Sequence, residues 1–118
     1  MQAALVEGVR GASADPVLAG LDAVARELEP RREELRRRAA LIASHPALRE
    51  RELGKQAATA AALRVALTER GVEPRSAQVM AEVAIVLLRV AFERWLQEPG
   101  ALDEHIRDAL AQAQAVLP

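Results

Sequence analysis

Apolar residues recur along this chain at spacings of three and four, the interval that lines one side of a helix, and proline and glycine mark where each such run begins and ends. Asp15-Pro16, Glu29-Pro30, His45-Pro46 and Glu73-Pro74 are helix starts, because proline suits a first helical turn, and Gly71 and Gly100 are stops. The pattern predicts a short leading helix to about Val9 and helices near 16–28, 30–43, 46–70, 74–97 and 101–117. No period-two alternation of β-branched residues persists and no Asn-Gly or Asp-Gly turn occurs, so no strand is expected. The expectation is an all-α fold, a bundle of five to six helices.

Most of these helices carry one apolar stripe: Val17, Leu21, Val24 and Leu28 in the second, Leu102, Ile106, Ala109, Leu110, Ala113 and Leu117 in the last. The helix at 74–97 differs. Glu82, Arg89 and Glu93 form one narrow polar line, while Val79, Val83, Val86, Leu87 and Val90 make a bulky sector and Ala81, Ala84, Leu88, Ala91 and Trp95 a flatter one. A helix apolar nearly all round is buried on more than one side. One sector therefore meets the chain's own core and the other a second copy, unless both are internal. Small residues let helices approach closely, so the expected twofold interface is Ala84, Leu88, Ala91 and Trp95 with Ile106, Leu110 and Ala113 of the last helix, although the pattern alone does not decide which sector faces out.

With 118 residues the chain is expected to form one main body. Residues 1–13 read as the end of a linker helix and 14–118 as the domain proper. Sixteen basic and seventeen acidic side chains nearly cancel, so no global field draws the chain to nucleic acid or an anionic membrane. The apolar run Val83–Leu88 is far short of the ~20 residues needed to span a bilayer. Without cysteine there is neither disulfide nor thiolate metal site. The expectation is a cytoplasmic protein with no metal and no cofactor.

The residues that could carry chemistry are few. His45, between Ser44 and Pro46, sits where a helix start is expected, and the only other histidine, His105, lies sixty positions away with no HExxH pattern. Glycine-rich phosphate loops, nucleophile elbows and close carboxylate pairs are missing as motifs, so an enzyme is not expected. The cluster RREELRRR at 31–38 is broken by Glu33 and Glu34 and reads as a solvated face, except that Arg38 borders the stripe of Leu35, Ala39 and Ile42. Arg38 either turns inward toward an anionic ligand group or runs its stem along the core edge. Gln56 falls among Leu53, Ala60, Leu63 and Leu67, where its amide needs a partner that a ligand, a water or a backbone group could supply. The stretch at 61–84 has a helix, glycine turn, helix order, but as a DNA reader it would present Val79, Met80 and Val83 to the groove, and direct DNA binding is rejected.

The order of three runs, RREELRRRAALIASHPALRERELGKQAATAAALRVALTERGV, AEVAIVLLRVAFERWL and ALDEHIRDALAQAQAVL, resembles the C-terminal regulatory domain of TetR-family transcriptional regulators. The features that carry the likeness are the "PALR" start at Pro46–Arg49, Arg70 with Gly71, and Ala91 with Trp95. The resemblance implies a homodimeric domain that pairs through its last two long helices and takes a small apolar or amphipathic effector among its helices. It also implies that DNA is reached only through an N-terminal helix-turn-helix domain with no counterpart in these residues. The effector pocket expected on this reading is lined by Leu35, Ile42, Leu63, Val83 and Leu87, with Arg38 and Gln56 as its polar groups. The competing reading is a stand-alone helical dimerisation module without ligand. An enclosed cavity of a few hundred cubic ångströms, or a helix-turn-helix encoded just upstream, separates the two.

Overall fold

The computed structural model describes residues 1–12 and 15–117. The expected boundary between residues 13 and 14 lies outside them. Six α-helices account for nearly all of the described chain and none of it is strand: α1 (Gln2–Arg10), α2 (Pro16–Leu28), α3 (Arg32–Ala43), α4 (Pro46–Glu69), α5 (Pro74–Gln97) and α6 (Leu102–Val116), with a 3₁₀ turn over Glu29–Arg31 between α2 and α3.

The helix ends are built by the residues the pattern singles out, with local chemistry added. Asp15 accepts hydrogen bonds from the Val17 and Leu18 amides at 3.0 and 3.1 Å, satisfying donors that the first turn of α2 leaves unpaired. Glu73 does the same for α5, accepting from the amides of Arg75 and Ser76 at 3.1 and 3.0 Å. Those backbone bonds hold its carboxyl below the usual carboxylate range. At the end of α4, Gly71 takes φ of +91°, the Gly71 amide bonds to the Thr68 carbonyl and the Val72 amide to the Leu67 carbonyl. This is a Schellman closure, and the half-buried Val72 packs against the core as that motif favours.

α5 runs through the middle, against α4 and α6 along most of its length and against α2 and α3 over shorter stretches, while α1 lies across α2 and α4. Leu5, Val9, Leu21, Val24, Leu63, Leu67, Trp95, Leu102 and Ile106 are fully buried together. α1 and α2 cross almost backbone to backbone. A Cβ on Gly8 would stand 2.8 Å from the Ala19 carbonyl oxygen, and one on Gly20 would stand 2.9 Å from that of Leu5. The segment expected to end a linker helix thus contributes Leu5 and Val9 to the shared core, although nothing in its short pattern announced this.

α5 is two-sided, as its periodicity requires, and burial decides the sides. Ala77, Ala81, Ala84, Leu88, Ala91 and Trp95 face inward with no more than 4% of their surface exposed, whereas Val79, Val83 and Val86 are 63%, 42% and 48% exposed. The expected twofold interface is corrected accordingly. Ala84, Leu88, Ala91 and Trp95 of α5 and Ile106 of α6 belong to the chain's own core, and Leu110 and Ala113 are half-buried. The physical reason is crowding: a helix with neighbours on several sides needs small residues where their axes approach, so the alanine ridge serves internal packing. The indole of Trp95 also finds its hydrogen-bond partner inside, donating from Nε1 to Glu29 Oε2 at 3.1 Å.

Candidate functional site: an apolar cleft between α3, α4 and α5

A cleft of about 630 Å³ opens between α3, the first half of α4 and the second half of α5. Its apolar wall consists of Leu35, Ala39 and Ile42 from α3, Ile85, Leu88, Phe92 and Leu96 from α5, and Leu28 from the end of α2. These positions follow from helical spacing. Leu35, Ala39 and Ile42 form an apolar stripe on a helix whose first half is mostly charged, and Ile85, Leu88, Phe92 and Leu96 repeat at intervals of three and four beside the alanine ridge. The rim is polar, with Arg36 and Arg38 on α3, Arg49, Glu52 and Gln56 on α4, and Arg89, Glu93 and Gln97 on α5.

Of the residues expected to bind a ligand, Leu35, Arg38, Ile42 and Gln56 line this cleft and Leu63, Val83 and Leu87 do not. Leu63 and Leu87 are buried and their side chains are not part of the cleft surface. Val83 lies on the outward stripe of α5. Their placement on the pocket side is corrected: α5 offers the cleft a third face, between its alanine ridge and the line of Arg89 and Glu93. Among the lining residues not anticipated at a ligand site are Leu28, Arg49, Ile85, Leu88, Arg89, Phe92 and Leu96. A two-sector division of α5 conceals those that lie on α5, and the spacing of Ile85, Leu88, Phe92 and Leu96 was the available signal. Leu53, expected to face inward beside Gln56, is 63% exposed.

Arg38 is exposed at the mouth, and Gln56 is half-buried, its side-chain amide without a hydrogen bond among the described residues. Around the far end of the cleft a polar clasp fixes the walls. Glu29 accepts from Trp95 Nε1 with one carboxylate oxygen and from the Leu102 amide at 2.7 Å with the other. Arg32 donates from Nε to the Trp95 carbonyl at 3.0 Å. The 3₁₀ turn and the start of α3 are thereby tied to the end of α5 and the start of α6. Phe92, on the cleft wall, stands 5.7 Å centroid to centroid from Trp95.

A second depression of about 560 Å³ lies between α4 and α5 and is lined by Ala57, Ala60, Ala61 and Ala81 with Arg64, Glu69 and Glu82. It offers alanine methyls and the exposed Val65 where the first cleft offers leucine, isoleucine and phenylalanine side chains.

The two histidines are placed apart from the cleft walls. His45 starts α4, with Nδ1 2.9 Å from the Leu41 carbonyl and 3.0 Å from Ser44 Oγ, a corner between helices. His105 is buried with Nε2 3.0 Å from the Pro99 carbonyl. Among the described residues no three His, Asp or Glu side chains converge as a metal site would require, and no helix is long and apolar enough to cross a membrane. No protein-family model matches the chain, and no curated protein matches it.

Proposed function

We propose that the chain is the regulatory part of a transcriptional repressor similar to the TetR family, binding a small apolar or amphipathic effector in the cleft between α3, α4 and α5. The observation that supports this reading is the cleft itself. Its volume of about 630 Å³ falls in the range of small-molecule sites, and its apolar wall with a polar rim has their usual make-up. The helix order that carries the family likeness comes from the sequence alone.

A homodimer is part of the proposal, with α5 as its centre and the stripe of Val79, Val83 and Val86 as its contact. Three exposed valines on one helix line are apolar surface that a twofold partner would cover. DNA contact belongs to a separate reading head. An effector in the cleft presses on Leu28, Phe92 and Leu96, next to Glu29 and Trp95, so the clasp carries its presence to the start of α6. Regulation then requires only that the effector prefer one of two arrangements of these helices.

The test is thermal unfolding with a panel of apolar and amphipathic compounds. A ligand present at a hundred times its Kd stabilises the fold by about 2.7 kcal/mol, a clear rise in Tm. Phe92→Ala should abolish the rise for a compound that gives one. A dimer that no compound stabilises would favour the dimerisation module instead.

A further inference from the structure

We infer that the cleft selects amphiphiles with an anionic head, an apolar tail lying along Leu35, Ile85 and Phe92 and the head held at the mouth by Arg38 and Arg89; this rests on the effector reading above. Charge at the rim carries the inference. The ionisable side chains that line the cleft are Arg36, Arg38, Arg49 and Arg89 against Glu52 and Glu93, an excess of cations in a chain whose overall charge is near zero.

The arginines are not equally committed. Arg36 approaches Glu33 at 4.0 Å, and Arg49 donates to the Ala43 carbonyl at 3.0 Å, which ties it to the helix corner. Arg38 and Arg89 make no ion pair and no side-chain hydrogen bond among the described residues. Nor does either rim glutamate pair with them: Glu52 stands 4.0 Å from Lys55, and Glu93 forms no ion pair among the described residues. Arg38 and Arg89 line the same cleft from two different helices, α3 and α5, so an anionic head at its mouth has donors to meet on both elements. Guanidinium suits that task, because its planar fork matches the two oxygens of a carboxylate. A cationic head would meet four like charges, and a wholly apolar ligand would leave the rim without a partner.

The test uses single-chain probes of one length, decanoate, 1-decanol and decyltrimethylammonium, the two ions below their micelle concentrations and the alcohol below its solubility limit. Binding is read by calorimetry and by the fluorescence of Trp95, the sole tryptophan, beside Phe92. Decanoate should bind at least tenfold more tightly than the ammonium compound, with the margin shrinking at high salt. Each methylene added to the acid should tighten binding about fourfold, the value of burying one such group. The double variant Arg38→Gln/Arg89→Gln, at two exposed positions, should cut the preference for decanoate to under threefold and leave decanol binding unchanged. Equal or tighter binding of the alcohol or the ammonium compound overturns the anionic selectivity while the cleft stands as an effector site. An undiminished preference in the double variant overturns the role of these arginines. Binding of none of the three overturns the effector reading, and this inference with it.

Discussion

At the residue scale, glycine has opposite meanings at different positions of this chain. Gly54 sits in the middle of α4 with nothing within 4 Å of where a Cβ would stand. Gly54→Ala should therefore stabilise the protein by about 0.5–1 kcal/mol, the helix-propensity difference, raising the denaturant midpoint. At Gly20 the same gain is outweighed, because a Cβ would stand 2.9 Å from the Leu5 carbonyl oxygen and from Val9 Cγ2, and overpacking of this kind costs about 1–3 kcal/mol. Gly20→Ala should lower the midpoint. The chain's pattern marks Gly71 and Gly100 as stops but gives no sign of the α1–α2 crossing, since a close approach between two helices is a property of their packing and not of either alone. Glu73 makes a prediction in pH. Its carboxyl is held low by the Arg75 and Ser76 amides, so the contribution to stability is present above the ordinary carboxylate pKa and is lost as pH falls through the lower value of the folded state. The stability difference between the wild type and Glu73→Gln, measured by denaturant titration, should be constant near neutrality and close in the acid range.

At the scale of elements, the helices were legible because apolar periods run between end signals. Pro16, Pro46 and Pro74 open α2, α4 and α5, and Gly71 and Gly100 follow the ends of α4 and α5, whereas Pro30 falls in the 3₁₀ turn and α3 begins two residues later, at Arg32. Which side of α5 faces in was not legible. Valines and alanines both count as apolar in a periodic pattern, and only the crowding of α2, α4 and α6 around one helix selects the alanines for the inside. The outward valines then become the testable face. Val83→Glu should leave the helical content and the unfolding midpoint of the single chain nearly unchanged, since Val83 is 42% exposed, yet shift sedimentation toward the monomer. Ala84→Glu is the contrasting case. It would bury a charge in the core beside Leu88 and should prevent folding, because an unpaired buried carboxylate is costly.

At the scale of the molecule, cleft and core are two uses of the same central helix. α5 gives its alanine ridge to the interior, its Ile85, Leu88, Phe92 and Leu96 stripe to the cleft, and its valines to the outside. The α3 side of the pocket was foreseeable, because Leu35, Ala39 and Ile42 share one face of that helix and Arg38 borders them. The α5 half was not, because its face becomes visible only once the ridge is known to be internal. Glu29 was likewise hidden: in the chain it is one acidic residue before a proline, and its bonds to Trp95 and Leu102 join segments that are far apart in sequence. Removing that clasp with Glu29→Ala should cost about 1–3 kcal/mol, since it leaves the indole and amide donors unpaired, and should alter Trp95 fluorescence before unfolding. The most direct measurement is methyl NMR during titration with decanoate, following the isoleucine, leucine and valine side chains. Shifts confined to Leu35, Ile42, Ile85, Leu88 and Leu96, with Val79, Val83 and Val86 unmoved, are the predicted result. Shifts centred on the valine stripe, or none at saturating ligand, would contradict the cleft as the effector site.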